Sequence, residues 1–320
     1  LRNLVELGYD DIVLYRTGKS TMDEAGLEGF PTEPDLGQAL DRWQPDAAII
    51  SNPTSLHIPT ALQAAEAGAD LFLEKPIAHT MEGVADLQKT VEAQNLQVQV
   101  GYQFRFHPGL VKVKSLLERG EVGQPMYAHA HWGEFLPDWH PWEDYHHSYS
   151  ANAELGGGVV LTLSHPLDYL RWLFGEVASV TAELGQPGSL GIEVESLADI
   201  NMVHTEGVIS STHLNYLQRP ARHDLEIVGS GGTIRWSALT GVVSWWKNDE
   251  EQWREQAPPA GFERNTMFLD EIEHFVTSLQ TEEKPRCTLG DGVAALRICL
   301  AALQSGQRGE RVLLPEKAKV

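Results

Sequence analysis

Two residue types in this chain stand where they could move protons: Lys75, in Glu74-Lys75-Pro76, and His165, in Ser164-His165-Pro166. Lys75 closes the apolar run Leu71-Phe72-Leu73. A lysine at the carboxyl end of a strand places an ammonium at the mouth of an α/β sheet, where such folds bind ligands. Pro76 holds the lysine backbone extended and makes a cis Lys75–Pro76 bond accessible, so the side chain is aimed. An ammonium so placed can stabilise a developing alkoxide, and with a depressed pKa it can accept a proton. His165 opens a helix shortly after Gly156-Gly157-Gly158. Its imidazole titrates near the working pH, which suits a general base and substrate orienter. Asp168, one turn on, either holds His165 or caps and pairs locally.

The elements that must position these groups alternate over the first hundred residues. Residues 11–15 read as a strand, 35–43 as a helix with Asp35 at its start, and 46–50 as a strand. Pro59 opens a helix running to Ala67 and ended by Gly68. Residues 71–74 form the next strand, Thr80 can cap a helix with core face Val84, Leu87 and Val91, and 97–102 form another strand. Apolar strands separated by helices predict a parallel, doubly wound sheet. The opening stretch from Leu1 to Gly8 reads as the second half of an amphipathic helix.

Beyond Arg105 the texture changes. Leu110, Val113 and Leu116 mark a helix, residues 126–135 a strand of alternating polarity, and residues 164–174 another helix. Residues 176–247 carry five or six strands with turns at Glu206-Gly207 and from Gly229 to Gly232, which predicts a large, mostly antiparallel sheet. Two helices close the chain. The expected division is 1–104 and 105–320.

Composition narrows the partners. The chain has 320 residues, 42% hydrophobic and 22% charged, which is the balance of a globular protein of two ordinary domains. A net charge of −21 argues against nucleic acid or an anionic membrane surface. No apolar run approaches the ~20 residues that cross a bilayer. Cys287 and Cys299 are the only cysteines and form no zinc-ligand spacing, which fits a reducing cytoplasm.

Five segments, in order, resemble the Gfo/Idh/MocA oxidoreductases, the family of glucose–fructose oxidoreductase and inositol dehydrogenase. They are Ser51-Asn52-Pro53-Thr54-Ser55-Leu56-His57, Glu74-Lys75-Pro76, Gly101 to Pro108, Gly156 to Asp168, and Cys287 to Leu314. The resemblance implies a nicotinamide-binding Rossmann domain, then an α/β domain whose open sheet faces the substrate cleft on one side and commonly a second subunit on the other. It also implies a cis Lys75–Pro76 bond, and hydrogen bonding of Lys75 to a substrate hydroxyl. Two departures stand out. The strand and Gly-rich turn that normally open the family are absent, which reads as a fragment in preference to a poor dinucleotide binder. Thr162 stands near where many members carry aspartate, and a threonine cannot act as a base at neutral pH.

By the same resemblance Ser51, Asn52, Pro53 and His57 line the cofactor path toward the ribose and nicotinamide, with Glu74 and Lys75 beside it. The alternative is an ordinary helix-entry loop. Gln103 and Arg105 follow a strand at the same edge of the sheet. Arg105 suits a polar or anionic substrate group, or else serves as an ion-pair partner. Trp139 and Tyr145, in a stretch dense with histidines, suit the faces of a sugar, or else pack plainly. That stretch lacks helical ligand spacing, so no metal is expected. Tyr15-Arg16-Thr17-Gly18-Lys19-Ser20 holds two cations and no carboxylate where NAD-preferring domains usually present one, which leans toward NADP over NAD. The expected activity is hydride transfer between nicotinamide and a secondary alcohol or ketone of a sugar or cyclitol by a homo-oligomer. The alternatives are an NAD-assisted glycosidase and a non-catalytic dinucleotide sensor or repressor.

Overall fold

The computed structural model describes residues 1–18, 27, 29–281 and 283–315. Helix α1 (Arg2–Glu6) is followed by β1 (Leu14–Tyr15), β2 (Thr32–Glu33), α2 (Leu36–Trp43), β3 (Ala47–Ile50), α3 (His57–Glu66), β4 (Asp70–Leu73), α4 (Val84–Gln94) and β5 (Val98–Val100). Strands β3, β4 and β5 form a parallel ladder with β4 central, and β1 pairs with β2 in a separate parallel ladder. Leu71 and Leu73 of β4 are fully buried, which is why the strand reads as a continuous apolar run. Asp35 accepts a hydrogen bond from Gln38 N at 2.8 Å and starts α2 as the sequence predicts. Helix α4 starts later than expected. Its N-cap is Gly83 at φ +71°, and the Thr80 hydroxyl accepts only from Glu82 N, outside the helix. Strand β1 covers two residues of the expected five.

The second half comprises α5 (Pro108–Glu118), β6 (Pro125–Phe135), α6 (Val159–Thr162), α7 (His165–Phe174), β7 (Val177–Gly185), β8 (Leu197–His204), β9 (Ile209–Asn215), β10 (Leu217–Gly229), β11 (Gly232–Ser237), β12 (Val243–Lys247), β13 (Gln252–Gln256), α8 (Arg264–Gln280), α9 (Leu289–Arg308) and β14 (Val312–Leu313). Among the described residues nine strands make one sheet in the order β13-β12-β11-β10-β6-β9-β8-β7-β14. All of its pairs are antiparallel except β6 with β9. Strand β13, Gln-Trp-Arg-Glu-Gln, is exposed throughout and carries no apolar alternation, so the sequence held no sign of it. Helices α5, α7 and α9 pack on one face of the sheet. The other face presents Tyr127, Ile209 and the stacked rings of His131 and His213.

The closing segment is stitched to the first half. Val100 N donates to Cys287 O at 2.8 Å, Gln99 bridges to Thr288, and the Gln99 side-chain amide donates to Glu271 O at 2.9 Å. Cys287 and Cys299 are both buried free thiols.

Candidate active site

The carboxyl ends of β3, β4 and β5 converge on Lys75. The Lys75–Pro76 bond is cis, as expected from the sequence. The ammonium donates to the carbonyl of Thr162 at 2.7 Å, which ties the end of β4 to the end of α6. Burial pulls this ammonium below the usual lysine range, while Glu74 partly restores it. The Glu74 carboxylate accepts from Lys75 N at 3.2 Å and is itself pushed up by burial. Gly101 makes room for it, since a Cβ there would crowd Glu74 Oε2 at 3.1 Å.

His165 begins α7 under an aromatic cover. Its ring centroid lies 4.9 Å from Phe104, 5.4 Å from Tyr102 and 5.6 Å from Trp132. Tyr102 also donates to Ser164 Oγ at 3.3 Å, fixing the residue before it. Burial, reinforced by Lys75, holds the imidazole well below its ordinary value, so it is neutral at physiological pH and able to accept a proton. Among the described residues His165 Nδ1 is buried without a hydrogen-bond partner, and the buried Thr162 Oγ1 has only the Tyr216 phenol near it. A buried polar atom without a partner is costly, so His165 Nδ1, beside the Lys75 charge, has hydrogen-bonding capacity left over.

Several of the expected site residues have protein partners of their own. Arg105 is not free for a substrate: it is 2% exposed and grips Asp168 through two bonds, Nε to Oδ2 at 3.0 Å and Nη2 to Oδ1 at 2.7 Å. Burial opposes the charge on Arg105, yet Asp168 more than offsets this and the guanidinium stays ionised. Asp168 therefore anchors Arg105 and does not hold His165. The His57 side chain is likewise committed. It is buried, with Nδ1 2.9 Å from Pro76 O and Nε2 2.8 Å from Asn52 O, so it staples the turn after β3 to the turn after β4. Tyr145 donates its hydroxyl to Leu190 O at 2.9 Å and stacks on His146. Trp139 packs edge-on to Tyr216, its indole nitrogen buried without a partner. Gln103 is buried in the turn after β5.

The site also gathers residues that had drawn no attention. The charge of Arg264, at the start of α8, depresses Lys75, His165 and His223 together. The Tyr149 phenol feels the Glu74 carboxylate, and burial raises it. Both belong to segments far from Lys75 in sequence, with no local motif to flag them.

At the cofactor end, Asn52 Oδ1 is buried and unpartnered while Asn52 Nδ2 donates to Thr60 at 2.8 Å. An orphaned acceptor in the turn after β3 has the chemistry to take a hydrogen bond from the amide or hydroxyl donors of a nicotinamide riboside. Ser51 and Pro53 flank it in the same loop. Tyr15 ends β1 and Arg16 follows it, while Lys19 and Ser20 lie outside the described residues. Among the described residues no cluster of His, Cys, Asp or Glu could hold a metal ion, and no helix is long and apolar enough to cross a membrane.

A pH experiment checks the state of His165. In an NMR titration its Cε1 proton is expected to stay unshifted from pH 7.5 down past the ordinary histidine value of about 6.5. Arg264→Gln removes one of the cations that depress it, so its midpoint should move upward. A midpoint at or above the ordinary value in the unaltered protein would contradict the buried, neutral imidazole.

Comparison with known proteins fits this geometry. Residues 15–102 match the model of an oxidoreductase family with an NAD-binding Rossmann fold, and residues 110–235 match that of the GFO/IDH/MocA C-terminal domain. The protein is an enzyme of the NAD-binding oxidoreductase class. Since the two models together span more than half of it, in order, the chain belongs to the Gfo/Idh/MocA family. Inositol 2-dehydrogenase 3 of Saccharopolyspora erythraea is 29% identical over 88% of this chain and 82% of its own length. The scyllo-inositol 2-dehydrogenase (NAD(+)) of Bacillus subtilis is 26% identical, over 92% and 84%. A solved structure of levoglucosan dehydrogenase with NADH and levoglucosan shares the fold at TM-score 0.85 and 20% identity, covering 96% of this chain and 91% of that one.

Proposed function

We propose that the enzyme interconverts a secondary alcohol and the corresponding ketone of a sugar, cyclitol or sugar derivative. The observation that carries this reading is the half-buried Lys75 ammonium, bonded to Thr162 O and near enough to His165 for its charge to act on the imidazole, whose Nδ1 has no partner among the described residues. A hydroxyl entering there receives a hydrogen bond from Lys75, which stabilises the alkoxide as its proton leaves. Neutral His165 orients the hydroxyl and accepts the proton, with Lys75 in the relay. Thr162 offers a neutral hydrogen bond and carries no charge. Bound nicotinamide supplies the hydride acceptor or donor. Asn52, Glu74 and the Ser51–Pro53 loop hold its ring end, and the partly buried Trp139 indole, its nitrogen unpartnered among the described residues, offers an apolar wall. The inositol dehydrogenases among the relatives support a polyhydroxylated substrate.

The cofactor we favour is NADP. Tyr15 at the end of β1 and Arg16 after it bring no carboxylate, and the Glu33 carboxylate on neighbouring β2 is taken by Arg42 and Trp43, each at 3.1 Å. A 2′-phosphate suits that place better than a bare ribose. Association through the outer face of the nine-stranded sheet, where Tyr127 and Ile209 sit side by side and are 39% and 50% exposed, gives a homo-oligomer. The buried free thiols support a cytoplasmic setting.

One screen tests activity and cofactor together. Nicotinamide absorbance is followed over inositols, hexoses, anhydrosugars and sugar nucleotides with NAD and NADP in parallel, and the dissociation constants of NADH and NADPH are measured. Turnover of at least one polyol and tighter NADPH are expected. Tighter NADH defeats the cofactor assignment alone, and release of free sugar without net cofactor change would favour a glycosidase.

A further inference from the structure

The glycine triplet Gly156-Gly157-Gly158 has a role that turn-making alone does not explain. Gly158 sits at φ +103°, a backbone region that L side chains rarely adopt, and a Cβ on it would run into the carboxylate of Glu195. The space left by the missing side chain is filled by Glu195, from the segment just before β8. The main-chain carbonyl of Glu195 accepts from Val159 N at 3.0 Å, and its Oε1 accepts from Val160 N at 3.1 Å. These are the first two amides of α6, which a helix leaves without partners of its own. One turn on, Thr162 N closes on Gly158 O at 3.0 Å, and Thr162 O receives the Lys75 ammonium.

We propose that Glu195 is a positioning residue for Lys75, acting through α6: it fixes the start of the turn whose last carbonyl holds the ammonium. This inference rests on Lys75 as the reacting lysine. The linkage is short and one-sided. Helix α6 is only four residues long, so any loosening at its first turn reaches Thr162 O directly.

The clamp is also sensitive to pH. Burial pushes the Glu195 carboxyl up to about 7, against the opposing pull of the Val160 N–H and of its own main-chain N–H. The titratable groups that feel its charge are Tyr216, before β10, and Cys299, on α9. Burial pushes Tyr216 well up and Cys299 up to about 12, so both stay neutral while Glu195 changes state. An ionised carboxylate makes a charge-assisted bond to an amide that is roughly twice as strong as the neutral one. As pH rises through the Glu195 midpoint, the clamp tightens and Lys75 is held more firmly.

Competitive labelling of the whole chain with trace acetic anhydride tests this without any substrate. Peptide mass spectrometry reads each lysine, and exposed Lys89 serves as internal standard. In the unaltered protein the ionisation-corrected labelling rate of Lys75 should fall by about threefold as pH rises through about 7. Glu195→Gln keeps an oxygen for Val160 N but cannot ionise, so the step should vanish while the melting temperature stays close to normal. Glu195→Ala should leave Lys75 more reactive than Glu195→Gln at every pH. A step that persists in Glu195→Gln, or no step in the unaltered protein, overturns the proposal. The reading of Lys75 as the reacting lysine is judged separately, by turnover of Lys75→Ala.

Discussion

Lys75→Ala is expected to lower turnover by at least about 10²–10⁴, the usual worth of general acid–base help, while nicotinamide affinity changes little. The substitution removes the donor to the substrate oxygen and the proton relay together, but leaves Asn52 and the Glu74 carboxylate in place. His165→Ala should show a comparable loss. If the two residues act as a unit, the double variant loses less than the product of the single losses. Steady-state rates on the substrate found by screening, with cofactor binding followed by fluorescence, make the comparison. Near-normal turnover in Lys75→Ala would remove Lys75 from the chemistry.

Arg105→Ala should be the most destabilising of the simple substitutions, by about 3–5 kcal/mol, because it strands the buried Asp168 carboxylate without its partner. The loss extends past one pair. Arg105 also lies 3.4 Å from Asp291, which Arg171 grips at 2.8 Å while bonding Glu176 at 2.6 Å. Removing both charges, as Arg105→Met with Asp168→Leu, should restore much of the stability, since a buried pair replaced by apolar groups of similar volume is often nearly neutral. Urea unfolding midpoints decide it. A double variant as weak as Arg105→Ala would place the stabilisation outside the pair.

How much of this could be read from residue order follows the range of the interactions. Strands β3 and β4 and helices α2 and α3 were legible because continuous apolar runs, Asp35 and Pro59 are local signals. Strand β13 was not, because five exposed residues carry no period. Lys75, Thr162 and His165 emerged from short motifs, and the structure joins Lys75 to Thr162 through a lysine-to-carbonyl bond and to His165 through its charge. What failed was the choice of partner. Arg105 meets Asp168 across 63 positions, and nothing near either residue says whether that guanidinium faces a ligand or a carboxylate. The partners of His57 were hidden for the same reason, since its two carbonyls are 5 and 19 residues away. Tyr149, Glu195 and Arg264 come from loops and a helix start, where the rest of the fold decides what a side chain meets.

The seam between β5 and the segment after α8 has a consequence for dissecting this protein. Because Val100 N, Gln99 and Arg105 all bond to residues between Glu271 and Thr288, the first hundred residues borrow part of their support from the last fifty. A piece ending near residue 104 would carry a bare strand edge and an amide side chain stripped of its acceptor, both invitations to self-association. The two halves are then expected to melt in one cooperative transition, and a truncation near the carboxyl end to register as damage in the dinucleotide-binding half.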